Sequence, residues 1–524
     1  MKNSKIKILG IILLGFLINS CSNELNTTPE IEDSLENLLR KDPNAIQGLV
    51  SRLYAGLSLT SNNGPGESDL EGPDKGETGF LRGILNLEDF SADCMKNRWG
   101  DDGLDQLTTT SEWNDVNKFF RYFYDRVYIT VPNCNNIIKA INTTNINNKV
   151  QYISELRFIR SLAYFYMIDC FGKGILATEN DLGSVNLKSE STRIEMFNYV
   201  EKELLEIELT IPQQNGYGRA NKAVVQMLLA KLYLNAAVYT GTPRFNDAAI
   251  YTSKVIGGGY SLAPDFNSLF EADNNITLAK NEIIFPLICD SEVTQSYSNT
   301  TYLVNGSLFA ATMTPADYGV KENGWGGHRA TKALYKFYGN TAAAVEASTD
   351  VRASGLWTSG HSYEMNNYKT WSDGFPYAKF KNKKSIGNQP LTVFSSTDFP
   401  LYRLADAYLM YAECALRGAS NANLGTALGY VNAIRTRSNA TTISVSEMDL
   451  QFILDERSRE LTMEGHRRTD LIRFGQFTGS TYLWPWKGNL KDGRGIPEHY
   501  KLYPIPKTAR QANPNLTKTE GYPN

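Results

Sequence analysis

Apolar positions recur along much of the chain at the spacing of one helical face. In 151–169, Tyr152, Leu156, Ile159, Ala163 and Tyr166 fall at i, i+4, i+7, i+11 and i+14. Leu401, Leu404, Tyr408, Tyr411 and Ala415 follow the same period in 401–417. The pattern predicts further helices over 43–58, 112–141, 194–209, 220–239, 245–256, 424–437 and 446–464. Short breaks join some of them into neighbours: 220–239 with 245–256, and 401–417 with 424–437. Ala and Tyr at the contact positions suit paired helices, because the small residue allows close approach and the large one fills the space above it. The spacing is too irregular for a clean 34-residue repeat array.

Two stretches lose the period. Residues 60–111 are rich in Gly, Asp and Asn, and 260–400 mix short apolar runs such as Ile283-Ile284-Phe285 with Gly, Asn, Ser and Thr. Loops and short strands are expected there. The fold class is therefore mainly α, a helical scaffold carrying long irregular insertions, and insertions of that kind usually hold the function.

The first residues follow a different pattern. Lys2, Lys5 and Lys7 precede an apolar run from Ile8 to Ile18, too short to span a bilayer but suited to an export signal. The run ends at Ser20-Cys21, which resembles a bacterial lipoprotein cleavage site. The expected organisation is a signal at 1–20, a lipidated tether at 21–34 with Cys21 acylated, and one composite body over 35–524. Acyl chains would hold that body on a membrane. Five other cysteines (Cys94, Cys134, Cys170, Cys289, Cys414) are widely spaced with no CxxC, and are expected as buried free thiols.

Composition narrows the function. A net charge of −3 over 524 residues argues against nucleic acid as a partner. Only four histidines weaken the case for a multi-histidine metal enzyme, while 29 Tyr, 23 Phe and 7 Trp require either an aromatic core or an aromatic binding surface. There is no GxSxG, HExxH or GxxxxGK[ST]. Glu456, Glu460 and Glu464 share one helical face and could suggest paired catalytic carboxylates. The arginines around them in sequence (457, 459, 467, 468, 473) favour a structural ion network, and Arg403, Asp406 and Glu413 read the same way. The run Glu271, Asp273, Asn274, Asn275 is a weak candidate for structural calcium, with Asp273 as ligand, against a solvated loop. No other cofactor is expected.

Four segments resemble one family: ELRFIRSLAYFYMIDCFGKG (155–174), FPLYRLADAYLMYAECALR (399–417), ILDERSRELTMEGHRRTDLIRFGQF (453–477) and LYPIPKTARQANPNLTKTEGY (502–522). With the lipoprotein start, they resemble the SusD/RagB outer-membrane lipoproteins, which capture nutrients for a SusC-like TonB-dependent transporter. Arg510 and Thr519-Glu520 depart from the family's usual tail. The stretches GPDKGETGFLR (72–82), LYLNAAVYTG (232–241), TTYLVNG (300–306), NGWGGHRATKAL (323–334) and YLWPWKGN (482–489) resemble the family's starch-binding member. The resemblance implies four helix pairs of tetratricopeptide type supporting an irregular lobe, a cell-surface location and an α-glucan ligand. It also implies a site. Trp325 and Tyr297 fall at aromatic platform positions, and Arg82 and Asp74 at polar contact positions. Trp99 is displaced by one residue, with Arg98 in the expected spot, and Asp101 stands where an amide is expected. The chain is read as a non-catalytic binder. A glycoside hydrolase, or a helical scaffold that binds only protein, are the competing readings.

Overall fold

The computed structural model describes residues 34–522. The signal segment, Cys21 and nearly all of the tether lie outside the described residues. Eight helices of twelve residues or more form the scaffold among the described residues: α1 Lys118–Asn142, α2 Lys149–Cys170, α3 Arg193–Glu208, α4 Lys222–Leu234, α5 Phe245–Ile256, α6 Leu404–Leu416, α7 Leu424–Arg437 and α8 Leu450–Leu461. Each packs on the next from α1 to α7, and α8 returns onto α6. Both neighbour pairs expected from the sequence, α4/α5 and α6/α7, are in contact.

Local chemistry sets the helix starts. The side chains of Asn117, Thr192, Asn221, Asn423 and Asp449 each accept a hydrogen bond from a first-turn N–H, which satisfies a donor the helix itself cannot use. Thr192 and Glu195 form a full capping box at α3. The predicted face of α2 is buried, but so is most of the rest of that helix from Ser154 to Cys170. A helix enclosed on all sides lies at the centre of the body.

The boundaries differ from expectation in several places. The window 446–464 is helical only over Leu450–Leu461, so Glu464, expected on one helical face with Glu456 and Glu460, lies beyond the helix end, and 220–239 breaks at Asn235 into Lys222–Leu234 and Ala236–Thr240. Residues 401–403 are not helical: Phe399–Arg403 is a strand, β4, paired antiparallel with β2, Ile283–Leu287. A short apolar run fits either period, and pairing with a distant segment decides it. Residues 112–117 also precede the helix. Glu112 has φ of +56°, so the chain turns before α1 begins at Lys118. The 260–400 region is otherwise as expected, loops with short helices and strands, including β3, His328–Ala330. Its partner β1, Met95–Asn97, comes from the other irregular stretch.

One hydrophobic cluster runs from Leu39 to Tyr522, and a smaller one sits among α6, α7 and α8 around Leu409, Val431, Ile434 and Ile453. The five described cysteines are buried free thiols. No helix among the described residues is long and apolar enough to cross a membrane.

Candidate functional site

The site begins with the β1/β3 ladder. Its register pairs Met95 with Ala330, Lys96 with Arg329 and Asn97 with His328, and the Arg98 N–H donates to the Gly327 carbonyl at 3.0 Å. This register carries Trp99 to the segment that holds Trp325. The indole of Trp99 lies across Gly327, where a Cβ would stand 2.3 Å from Trp99 Cε2. The bare glycine makes that approach possible. Trp99 Nε1 then donates to the Trp325 carbonyl at 3.2 Å.

The Trp325 segment is held by a short helix, Thr300–Ser307. The N–H groups of Trp325, Gly326 and Gly327 donate to the carbonyls of Asn305, Leu308 and Gly306 at 2.7, 2.8 and 2.7 Å. Those carbonyls sit at the helix C-terminus, where the helix leaves acceptor capacity unused; the Asn305 carbonyl also accepts from the Leu308 N–H at 3.2 Å. Tyr297 stands just before the same helix. One element therefore anchors two of the three expected platforms.

The result is a continuous aromatic row. Ring centroids are 6.4 Å apart for Trp99–Trp325, 6.0 Å for Trp325–Tyr297 and 5.1 Å for Tyr297–Phe394. The ring planes turn by 54°, 49° and 53° from one to the next. Trp99, Trp325 and Tyr297 are each half-buried, in contrast to the fully buried rings beneath them. Below Trp99 lie Tyr302 and His328, with centroids at 5.9 and 5.3 Å, both fully buried. Burial, then the charges of Arg82 and Arg329, hold the His328 imidazole well below its ordinary pKa. It is a neutral spacer under the platform. It rests against Gly306, where a Cβ would lie 2.1 Å from the ring.

The polar members flank Tyr297. Asp74 caps the turn Lys75–Thr78, accepting from the Gly76 N–H at 2.9 Å, and its carboxylate is exposed. Arg82 is buried, with its guanidinium 4.5 Å over the Tyr302 ring and 4.0 and 3.8 Å from Asp74 and Glu77. Its Nε has no hydrogen-bond partner. A Cβ on Gly76 would stand within 3.4 Å of Tyr297, Asp74 and Arg82 alike, which places the three around one bare backbone position.

The SusD family model matches residues 346–522. The chain is 33% identical to the starch-binding protein SusD of Bacteroides thetaiotaomicron, over 98% of this chain and 97% of that protein. The chain belongs to the SusD family. It is also 25% identical to the SusD-like protein P25 of Formosa agariphila, over 98% of each chain. Among solved structures it is similar to surface glycan-binding protein A from Bacteroides thetaiotaomicron in complex with laminarihexaose (TM-score 0.67, 20% identity, 90% of this chain and 98% of that one). A SusD superfamily protein from Bacteroides vulgatus gives a TM-score of 0.69 at 19% identity, over 91% and 99% of the two chains. These two structures bear on the fold.

In this SusD-family protein, five of the six expected site residues converge: Trp99, Trp325, Tyr297, Arg82 and Asp74. The sixth, Asp101, is exposed on the loop after Trp99, and its side chain makes no hydrogen bond or ion pair among the described residues. Sequence reasoning missed Tyr302, His328, Gly327, Gly76 and Phe394. The first four lie in stretches that carry the resemblance, and the Gly326-Gly327 pair after Trp325 signals a close approach. Phe394 carries no such signal.

The acidic residues do other work. Glu456, Glu460 and Glu464 are buried and tied to arginine and lysine: Arg352 reaches Glu456 and Glu460 at 2.7 and 3.1 Å, Arg403 reaches Glu460 and Glu464 at 2.7 and 2.6 Å, and Lys379 reaches Glu464 at 2.6 Å. Burial alone would raise the Glu460 carboxyl, but Arg437, Arg403 and Arg352 together hold it well below the usual range. A glycosidase acid needs the opposite shift. Arg403 belongs to this network, while Asp406 pairs with Lys231 and Arg457, and Glu413 with Arg417 and Arg473. Asp273 is also buried. Its carboxylate accepts from the Ser385 N–H and hydroxyl at 3.0 Å each and from the Ile386 N–H at 3.1 Å, which pins one loop to another. Among the described residues, the group whose ligand atoms converge as a metal site would require is Glu88, Asp169 and Cys170; Arg468 and Thr469 occupy its carboxylates. A cavity of about 560 Å³ opens elsewhere, between α1 and the segment 508–516, and none of the expected site residues lines it.

Proposed function

We propose that this protein is a cell-surface glycan-binding lipoprotein that captures starch-type α-glucan oligosaccharides and hands them to a SusC-like TonB-dependent transporter. The carrying observation is the aromatic row itself: three half-buried rings in sequence, each turned by about the same angle, with Arg82 and Asp74 at one end. Sugar rings have apolar C–H faces and a rim of hydroxyls. Each aromatic face can cover one sugar face, worth about 1–2 kcal/mol. Charged side chains then fix orientation through the hydroxyls. Rings inclined to one another suit a curved chain better than coplanar ones, and a row held by backbone hydrogen bonds loses little entropy on binding. The name of the Bacteroides thetaiotaomicron relative, a starch-binding protein, supports the α-glucan reading. Acylation of Cys21 would hold the body at the outer membrane, where it covers the barrel mouth and closes over the bound chain. The transporter supplies the energy, since this sequence has no nucleotide-binding motif.

The test is calorimetric titration of residues 22–524, which keep every described residue, against cyclic and long α-glucans, laminarihexaose and other β-glucans. Binding of the α-glucans is expected, with no new reducing ends. Trp325→Ala should weaken it by about 5–30-fold, the loss of one stacked ring. Binding only to β-glucans would sink the α-glucan reading. Loss of binding to every glycan, with Trp325→Ala silent, would favour a protein-binding scaffold, and new reducing ends would favour a hydrolase. Co-purification of a TonB-dependent barrel with the tethered protein tests the partner.

A further inference from the structure

Arg98 directly precedes Trp99, yet the two side chains join different aromatic groups. Trp99 joins the platform row. Arg98 joins a second aromatic group: its guanidinium lies 5.4 Å from the Trp371 ring centroid and 5.9 Å from that of Phe309, and those two rings are 4.6 Å apart. Arg98 Nε donates to the Gly326 carbonyl at 2.7 Å, so the cation is fixed one residue from platform Trp325. Arg98, Phe309 and Trp371 are all half-buried.

A second cation sits on the same indole. Arg329 lies 4.6 Å from the Trp371 centroid and is fully buried. Its Nη2 donates to the Tyr368 carbonyl at 3.0 Å, while Nε and Nη1 have no hydrogen-bond partner among the described residues. Among the described residues, the other guanidinium groups as deeply enclosed (Arg160, Arg352, Arg403 and Arg468) are each matched by carboxylates. Arg98 and Arg329 form no ion pair among the described residues. Asp373 is the acid facing Arg329, and it accepts from the Asn367 N–H at 2.8 Å instead. Burial, then the charge of Arg98, brings the Arg329 guanidinium down to about 9. Two like charges share one aromatic group with donors unused, beside a surface suited to sugars. An anionic oxygen group at the exposed edge of Arg98 would relieve the repulsion and match guanidinium geometry.

We propose that Arg98, backed by Arg329 on Trp371, is a subsite for an anionic substituent of the bound glycan, a phosphate monoester or carboxylate on a sugar adjoining the one stacked at Trp99–Trp325. This rests on reading the aromatic row as a glycan site. The protein would then favour substituted chains over neutral ones of the same backbone.

The experiment measures affinity ratios within matched pairs, using residues 22–524 at low salt. One pair is maltoheptaose and a phosphorylated maltoheptaose; the other is laminarihexaose and its carboxylate-terminated derivative. Within the backbone that binds, the anionic member should bind at least about fivefold more tightly, with the advantage shrinking at high salt. Arg98→Gln should bring the ratio toward one, and Arg98→Lys should restore most of it. Equal affinity within a binding pair, or a ratio untouched by Arg98→Gln, overturns the proposal. If only the laminari pair binds, the α-glucan reading fails and the ratio is read on that pair. Binding by neither pair overturns both.

Discussion

Gly327→Ala separates the shape of the platform from its composition, because it removes no ring. Gly327 does not have a left-handed φ, so alanine fits the backbone, and by itself the change would stabilise through the unfolded state by about 0.4–1 kcal/mol. The added methyl has no room. It would stand 2.3 Å from Trp99 Cε2, 2.6 Å from Cζ2 and 2.7 Å from Nε1. Ordinary carbon contacts are about 3.5–4.0 Å, so the indole must shift by more than about 1 Å. That shift breaks the 3.2 Å bond from Trp99 Nε1 to the Trp325 carbonyl and opens the 6.4 Å ring spacing. Overpacking and the lost bond should cost about 1–3 kcal/mol of stability. Affinity for the glycan should fall by about 5–30-fold, as for loss of one stacked ring. Calorimetry reads the affinity, urea unfolding reads the stability, and tryptophan fluorescence reads the displaced indole. A double-mutant cycle decides the cause: with Trp99→Ala already in place, Gly327→Ala should cost almost nothing further in affinity. Wild-type binding by Gly327→Ala, where Trp99→Ala alone is weak, would refute the reasoning, and so would full additivity of the two losses.

The buried carboxylates give two further predictions. Glu460→Ala leaves Arg403, Arg352 and Arg437 without a shared partner, and urea unfolding should show a loss of about 3–5 kcal/mol, while reducing-end assays stay flat in both proteins. Acid should destabilise the protein through Asp470. Burial would raise that carboxyl, but Arg457 and Arg473 bring it down to about 2. Its unfolded value is about 3.9, so between the two the unfolded chain binds more protons; the stabilisation, about 2–3 kcal/mol, is complete only above about pH 5 and is lost as pH falls through 2. Thermal melts of Asp470→Asn should show a shallower fall over that range than the wild type.

Most of the scaffold could be read from the sequence because a packed helix writes its period locally. The windows for α2, α5 and α7 end within about two residues of the observed helices, the usual uncertainty of a helix boundary. Residues 401–403 show where that reading stops. Leu401 fits a helical face as well as a strand, and only its pairing with Ile283–Leu287, far along the chain, makes it β. That Trp99, Trp325, Tyr297, Arg82 and Asp74 lie together was legible through resemblance more than through pattern. Nothing in local periodicity singles out Tyr297 or Trp325. Trp99 looked misplaced by one residue because its position depends on the β1/β3 register, a property of two distant segments. The aromatic surplus resolves on the same terms: rings such as Tyr164, Phe285 and Tyr402 are buried in packing, and the half-buried row is a small remainder.

The ion network explains how an irregular lobe can carry a rigid site. Its acids and bases come from both sides of one boundary. Glu282, Arg352 and Lys379 belong to the lobe, and Arg403, Arg437, Glu456, Glu460 and Glu464 belong to or adjoin α6, α7 and α8. Loops with few regular hydrogen bonds would otherwise order poorly. Paired charges buried at the boundary allow few alternative arrangements, since any slip leaves a charge unmatched at a cost of several kcal/mol. The carboxylates that resemble a hydrolase pair in sequence thus act as a joint between scaffold and lobe. The platforms hang from that lobe by the carbonyls of Thr300–Ser307, not by the charges themselves. Stability and affinity should therefore separate. A variant in the joint lowers the unfolding midpoint while the folded fraction still binds, whereas Gly327→Ala weakens binding by the folded protein as well as lowering stability.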